Sequence, residues 1–134
     1  MRILVIDAQG GGIGKQVVTA LKRELPQAEI TAVGTNCMAT TAMLKAGADH
    51  AATGENAVIV GCRTADVIIG PVGIVIADAM YGEVTPAMSV AVGQSSAERL
   101  LIPVNHCNNY IVGVSDISVG KLIDDVVKEI KAKF

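Results

Sequence analysis

The sequence predicts a three-layer α/β domain with a mainly parallel sheet of five to six strands. The chain has 134 residues, which is the length of one domain. Hydrophobic residues make up 51% of it and aromatic residues only 2%, so the core must be aliphatic. Short apolar segments alternate with segments of helical periodicity. This alternation is typical of buried parallel strands joined by crossover helices, and we expect residues 1–134 to form a single domain.

The first third of the chain contains two strand–helix units. A continuous apolar run predicts a buried strand over residues 2–6. Apolar residues at helical spacing predict a helix after the glycines that follow, and this helix ends before Pro26. A second strand is predicted over 29–33. Asn36 is predicted to cap the second helix, which ends at Gly47.

The middle of the chain is less regular. We expect a short strand over residues 48–52, a helix from Thr53 to Arg63 and a strand over 66–69. The segment GIVIADAM, residues 73–80, is apolar on every side. It is therefore either a buried helix or an extension of the preceding strand.

The last third begins with a well-marked helix. Thr85 is predicted as its N-cap, Pro86 as its first residue, and Gly93 as the residue after its end. The elements expected after it are strands over 99–104 and 110–114 and a final helix capped by Ser118.

Charge and composition exclude several classes of partner. The net charge is −2 and no run of like charges occurs, which argues against a nucleic-acid interface. No apolar run reaches the roughly 18 residues of a membrane span, and the N-terminus lacks a signal-peptide pattern. Three widely spaced cysteines indicate reduced thiols and a cytoplasmic location. The high apolar content predicts a homo-oligomer, and a dimer is the expected form. The apolar segment GIVIADAMYG is expected to form its interface.

The stretch VIDAQGGGIGKQ, residues 5–16, indicates an anion site. Glycines between a strand and a helix let the backbone approach a phosphate, which free N–H groups and the helix dipole stabilise. The residues expected at the phosphate are Gly10, Gly11, Gly12, Ile13, Gly14 and Lys15.

Further candidate residues follow the predicted strands, at the edge where open α/β sheets bind ligands. Those expected to line the crevice are Thr35, Asn36, Gly73 and Asn105. The candidate proton donors are Asp7, Glu55 and His106, with Asp7 either a general base, a ligand for a hydroxyl, or a cap of the glycine turn. Glu83, like Glu55, could serve as an acid, although a solvated loop carboxylate is the favoured interpretation of both. No metal site is expected, because histidines and cysteines lack paired spacing.

The glycine spacing matches no standard phosphate loop fully. The dinucleotide pattern G-x-G-x-x-G fails at Lys15. The loop of short-chain dehydrogenases, G-x-x-x-G-x-G, is more similar, although Ala8 stands at its first glycine. That family's Tyr-x-x-x-Lys is absent, since Thr85 follows Tyr81 and Val114 follows Tyr110 at this spacing.

A triphosphate loop of the G-x-x-x-x-G-K-[ST] type ranks second, because Gln9 and Gln16 replace its first glycine and its hydroxyl residue. The acid that binds the ribose of NAD about 20 residues after the loop is also missing. Residues 34–36, Gly-Thr-Asn, stand there instead. NADP or another phosphorylated nucleotide, or coenzyme A, is therefore favoured over NAD.

The segments VIDAQGGGIGK, GTN, ATGENA, GPVGIVIA, TPAM and LIPVN together resemble a small bacterial family known as a domain of unknown function. The resemblance spans nearly the whole chain. It implies a Rossmann-like fold, and it implies no activity and no site residues.

Three functions follow from these patterns. The first is binding of a phosphate-bearing ligand of the nucleotide, dinucleotide or coenzyme A type at the glycine loop. The second is an NADP-linked reductase or a P-loop-like nucleotide hydrolase whose site is completed across a dimer. The third is a non-enzymatic sensor or scaffold. Whether the protein is an enzyme is left open by the sequence.

Overall fold

A computed structural model describes residues 1–104 and 108–134. These residues form five strands, five α-helices and one short 3-10 helix. In chain order the elements are β1 (Arg2–Asp7), α1 (Gly12–Glu24), β2 (Glu29–Gly34), α2 (Cys37–Lys45), β3 (His50–Thr53), α3 (Glu55–Cys62), β4 (Val67–Pro71), the 3-10 helix (Val72–Val75), α4 (Pro86–Gln94), β5 (Glu98–Ile102) and α5 (Val119–Lys133).

The five strands form one parallel sheet in the order β3-β2-β1-β4-β5. This confirms the predicted α/β class and parallel sheet. The chain passes from β1 outward through β2 to β3, and then crosses to the other side of β1 to form β4. The order of the strands therefore reverses at β1, and open α/β sheets bind ligands at the carboxyl end of the strands beside such a reversal.

Helices cover both faces of the sheet. Along β1, Ile3 and Val5 belong to one core and Leu4 and Ile6 to the other, because successive side chains of a strand point to opposite faces. The first core contains residues of α1, α2 and α5, and the second contains residues of the 3-10 helix, α3 and α4. The central strand is buried on both faces, which explains its continuous apolar run.

Three predicted helix caps are confirmed. Asn36 accepts a hydrogen bond from the N–H of Ala39, Thr85 from Met88 and Ser118 from Lys121. The prediction that Gly93 follows the end of its helix was wrong. Gly93 lies inside α4, which continues to Gln94, and an added Cβ there would meet nothing within 4 Å.

The strand predicted over residues 110–114 was wrong. A turn occupies this segment, in which the N–H of Val114 donates to the carbonyl of Ile111 and Gly113 has a φ of 84°. Tyr110 and Val112 are 83% and 86% exposed, so these apolar side chains face solvent. Their β propensity has no effect here because no neighbouring strand pairs with the segment within the described residues.

The segment GIVIADAM is neither a long helix nor an extended strand. After the 3-10 helix the chain turns back on itself, with left-handed φ values at Asp78, Met80 and Tyr81. The turn places Ile74, Ala79 and Met80 in the second core. The helix predicted from Thr53 begins at Glu55, after Gly54, whose φ is 102°. None of the helices among the described residues is long and apolar enough to cross a membrane.

Candidate functional site

The glycine loop connects the carboxyl end of β1 to the start of α1. The chain leaves Asp7 and makes a tight turn in which the N–H of Gly11 donates to the carbonyl of Ala8 at 3.1 Å. Gln9 and Gly11 both adopt left-handed conformations, with φ of 52° and 74°. Gly12 then begins α1, a helix of 13 residues, so the loop lies at a helix N-terminus.

Two glycines of the loop are required by close packing. An added Cβ on Gly11 would lie 2.7 Å from the Cα of Ala39 in α2. On Gly14 it would lie 2.5 Å from the Sδ of Met43 and 2.9 Å from the Cβ of Asp7. Both glycines therefore allow α1 to pack closely against the sheet and α2.

Gly10 and Gly12 have no such packing role. An added Cβ at either position would meet nothing within 4 Å, and neither residue has a left-handed φ. Space is therefore open around the Cβ positions of these two residues.

Backbone N–H groups of the loop fall into two sets. Those of Gly11, Gly14 and Lys15 donate to Ala8, Asp7 and Gly11 respectively. Within residues 1–104 and 108–134, the N–H groups of Gly10, Gly12 and Ile13 have no acceptor. Three free donors at the positive end of a helix dipole can hold an anion.

Asp7 lies beneath the loop and is only 4% exposed. Its Oδ1 accepts from the N–H of Ala8 at 2.8 Å and its Oδ2 from the N–H of Gly14 at 2.7 Å. Burial raises the pKa of Asp7, the two hydrogen bonds oppose that rise, and the nearby charge of Glu83 adds to it. Of the three roles considered for Asp7, this geometry matches the cap of the glycine turn.

Glu83 comes from the loop between the 3-10 helix and α4 and joins the glycine loop to the end of β2. Its Oε1 accepts three hydrogen bonds: from the N–H of Gln9 at 2.8 Å, from Thr35 Oγ1 at 2.8 Å and from Asn36 Nδ2 at 2.7 Å. Desolvation acts to raise the pKa of Glu83, but these three donors outweigh it and lower the pKa. Glu83 is therefore not the solvated loop carboxylate that the sequence predicts, because its donors come from residues distant along the chain.

A groove of about 570 Å³ lies between the start of α1 and α2. It is lined by Gly10, Lys15, Cys37, Met38, Thr41, Ala42, Lys45 and Ala46. Neither Lys15 nor Lys45 forms an ion pair with a carboxylate of the described part of the chain. The groove beside the free N–H groups therefore carries two positive charges without acidic partners.

The other predicted site residues lie on neighbouring elements or outside the described residues. Thr35 and Asn36 lie beside the loop, but their side chains already bind Glu83. Gly73 is buried in the 3-10 helix after β4, and Glu55 begins α3 after the edge strand β3. Asn105 and His106 lie outside the described residues. Among the described residues, no three histidine, cysteine or acidic side chains form a group that could hold a metal ion.

Comparison with known proteins adds a family. A family model described as "Domain of unknown function (DUF3842)" matches residues 2–134. No curated protein matches the sequence. Among solved structures, the chain is similar to a "dodecameric FMN-dependent Ubix-like Decarboxylase from Escherichia coli O157:H7". The identity is 17%, the TM-score is 0.44, and the match covers 100% of this chain and 94% of that chain. A similarity at this level says nothing of a shared ligand, reaction or assembly.

Proposed function

The chain belongs to the DUF3842 family, a domain of unknown function, so we propose its function from its own site. The protein binds a phosphate-bearing ligand of the nucleotide, dinucleotide or coenzyme A type at the glycine loop. The phosphate accepts hydrogen bonds from the backbone N–H groups of Gly10, Gly12 and Ile13. The sequence had assigned this role to Gly11 and Gly14 as well, but the N–H groups of those two residues donate within the protein.

The observation that carries the proposal is the combination of free donors and open space. The N–H groups of Gly10, Gly12 and Ile13 lack acceptors among the described residues. A Cβ added at Gly10 or Gly12 would meet no heavy atom of the described residues within 4 Å. Packing therefore gives no reason for glycine at these two positions, whereas the close approach of a phosphate to the backbone does.

Two lysines beside the glycine loop also support the binding of an anionic ligand. Lys15 and Lys45 line the groove next to the loop and have no ion pair within the described residues. An anionic ligand would gain their attraction without breaking an existing contact. The groove, at about 570 Å³, is also within the range of volumes usual for small-molecule sites.

The test compares alanine variants at matched glycines. Gly10→Ala and Gly12→Ala place a methyl group where the ligand would lie, and Gly93→Ala places one in equally open space on α4. Binding is measured by thermal shift with NAD, NADP, FAD, coenzyme A, ATP with Mg²⁺ and a sugar phosphate. A ligand at 100 times its Kd adds roughly 2.7 kcal/mol to the free energy of unfolding.

We expect at least one ligand to stabilise the wild type and Gly93→Ala, and to stabilise Gly10→Ala and Gly12→Ala much less. If no ligand stabilises the wild type, the proposal is wrong. If the loop variants bind as well as Gly93→Ala does, the ligand lies elsewhere.

We also propose a homo-oligomer, with its interface on α3 and α4 rather than on GIVIADAMYG. The apolar residues Ile74, Ala79 and Met80 of that segment are buried in the chain's own core. In contrast, α4 contains no charged residue, and Val90 on it is 51% exposed. Val90, Ile59 and Ala87 line a groove of about 560 Å³ between the two helices. The cytoplasmic location stays a prediction.

A further inference from the structure

We propose that Glu83 recognises a ribose hydroxyl of the ligand, so that the site selects nucleotides with an unphosphorylated ribose and rejects those with a 2′-phosphate. This inference rests on the proposed function, because it concerns the same ligand. It narrows the ligand class to NAD-type or simple nucleotides, and it reverses the preference for NADP that the sequence indicated.

The end of β2 lies directly beside the glycine loop. Asp7 and Gly34 are paired in the register of β1 and β2. Beyond them, the N–H of Thr35 donates to the carbonyl of Asp7 at 3.0 Å, and Asn36 Nδ2 donates to the carbonyl of Gln9 at 2.9 Å. A ligand whose phosphate lies on the loop therefore has its adjoining sugar within reach of this tip. Dinucleotide-binding sheets carry an acid here that binds the ribose.

No residue of β2 supplies that acid, but Glu83 brings a carboxylate to the same place. It bonds the side chains of Thr35 and Asn36, the two residues that follow β2. All three of its hydrogen bonds use Oε1. Its Oε2 has no partner in the part of the chain that the structure describes, so this oxygen is available to accept from a hydroxyl.

The loop that carries Glu83 is anchored on both sides. Val84 is 1% exposed, and Ala79 and Met80 also lie in the second core. Backbone hydrogen bonds join Asp78 N–H to the Val84 carbonyl at 2.8 Å and Val84 N–H to the Ala79 carbonyl at 3.2 Å. The backbone of this loop and the Oε1 atom of Glu83 are therefore both fixed by hydrogen bonds. The side chain loses little conformational entropy when its Oε2 binds a ligand.

The negative charge of Glu83 determines which kind of ribose can bind at its Oε2. A carboxylate accepts hydrogen bonds from the hydroxyl groups of a ribose. It repels a phosphate that is attached at the 2′ position of that ribose. Sites for a 2′-phosphate place an arginine here. No cationic side chain among the described residues forms an ion pair with Glu83, so nothing there would offset this repulsion.

The experiment measures the affinities of two pairs of probes by calorimetry: NAD against NADP, and ADP against 2′-deoxy-ADP. The proteins are the wild type, Glu83→Gln and the control Glu129→Gln, which changes an exposed acid on α5. In Glu83→Gln the amide oxygen still accepts from Gln9, Thr35 and Asn36, so the fold should persist.

We expect the wild type to bind NAD and ADP at least about tenfold more tightly than NADP and 2′-deoxy-ADP. Glu83→Gln should lose most of both preferences, and Glu129→Gln should keep them. Equal wild-type affinities within each pair, or a preference for NADP, would overturn the inference while leaving the proposed function in place. If none of the four probes binds the wild type, the inference is wrong. A broader panel with Gly12→Ala then decides the proposed function separately.

Discussion

The carboxylate of Asp7 accepts a hydrogen bond of 2.7 Å from the backbone N–H of Gly14, so that the last residue of β1 caps the first turn of α1. The other oxygen accepts from the N–H of Ala8. The end of the strand and the start of the helix are thus joined by a buried carboxyl group.

Asp7→Asn should destabilise the protein. An asparagine has only one acceptor oxygen, so its NH₂ group would face the N–H of either Ala8 or Gly14. A buried donor without an acceptor costs about 1–3 kcal/mol, and we expect a loss of that size in the free energy of unfolding. Urea unfolding measures it, with Asp116→Asn as the control because Asp116 is exposed. Equal losses for both variants would contradict the capping role.

The pH dependence of Asp7 and Glu83 should have opposite signs. Burial raises the pKa of Asp7 above its ordinary 3.8, so the folded state binds this proton more tightly than the unfolded state does. That contribution is complete below pH 3.8 and is lost as the pH rises through the folded pKa. The pKa of Glu83 is lowered from 4.5, so its contribution is present above pH 4.5 and is lost as the pH falls through the folded pKa.

Urea unfolding across this acidic range separates the two. The free energy of unfolding of the wild type minus that of Asp7→Asn should fall as the pH rises. The free energy of unfolding of the wild type minus that of Glu83→Gln should increase as the pH rises. Subtraction removes the titration of the groups that do not interact with the substituted residue, and Asp7 and Glu83 do interact with each other. Two differences that slope in the same direction would disprove at least one of these assignments.

Gly14→Ala and Gly12→Ala should differ in stability although both lie in the first turn of α1. At Gly14 the new methyl group would overlap Met43 and Asp7, and overpacking of this kind costs about 1–3 kcal/mol. The better helix propensity of alanine offsets up to about 1 kcal/mol of that. At Gly12 the methyl group meets nothing, so the free energy of unfolding should stay equal or rise slightly. Thermal or urea unfolding of both variants checks this, and equal stabilities would contradict it.

The described cysteines should react at very different rates. Cys37 is exposed at the start of α2, whereas Cys62 is buried and its pKa is raised to about 11 by burial. Iodoacetamide at neutral pH, followed by mass spectrometry of the peptides, should label Cys37 and leave Cys62 unmodified. Because Cys37 lines the groove beside the glycine loop, a bound ligand should also slow its labelling. Rapid labelling of Cys62 in the folded protein would contradict the burial.

Val90→Lys should dissociate the proposed oligomer. A lysine in the groove between α3 and α4 would have to be desolvated or would keep the subunits apart, and it would add a second positive charge to a groove that Arg63 already lines. Light scattering at micromolar concentration should show an oligomer for the wild type and a monomer for Val90→Lys. Val112→Lys, at an exposed position in the loop before α5, is the control and should not change the mass. A monomeric wild type would refute the interface.

Much of the fold is determined by the sequence, because its signals are local. The apolar run of β1, the caps Asn36, Thr85 and Ser118 and the glycines before α1 act within a few residues of themselves. Local pattern was insufficient at residues 110–114, where β propensity suggested a strand. Whether such a segment pairs depends on a neighbouring strand, which propensity does not reveal.

The tertiary structure alone decided how the candidate site is composed. The sequence indicated a phosphate loop but could not separate the packed glycines, Gly11 and Gly14, from the open ones, because their contacts lie on α2 and β1. Nor could it bring Glu83 to the end of β2, since Thr35 is 48 residues and Gln9 74 residues away along the chain. Folding places these groups together because β1 and β2 are adjacent and the loop after β4 packs its apolar residues into the second core. The carboxylate of Glu83, for which the local sequence predicts a solvated position, thereby accepts three hydrogen bonds and lies beside the glycine loop.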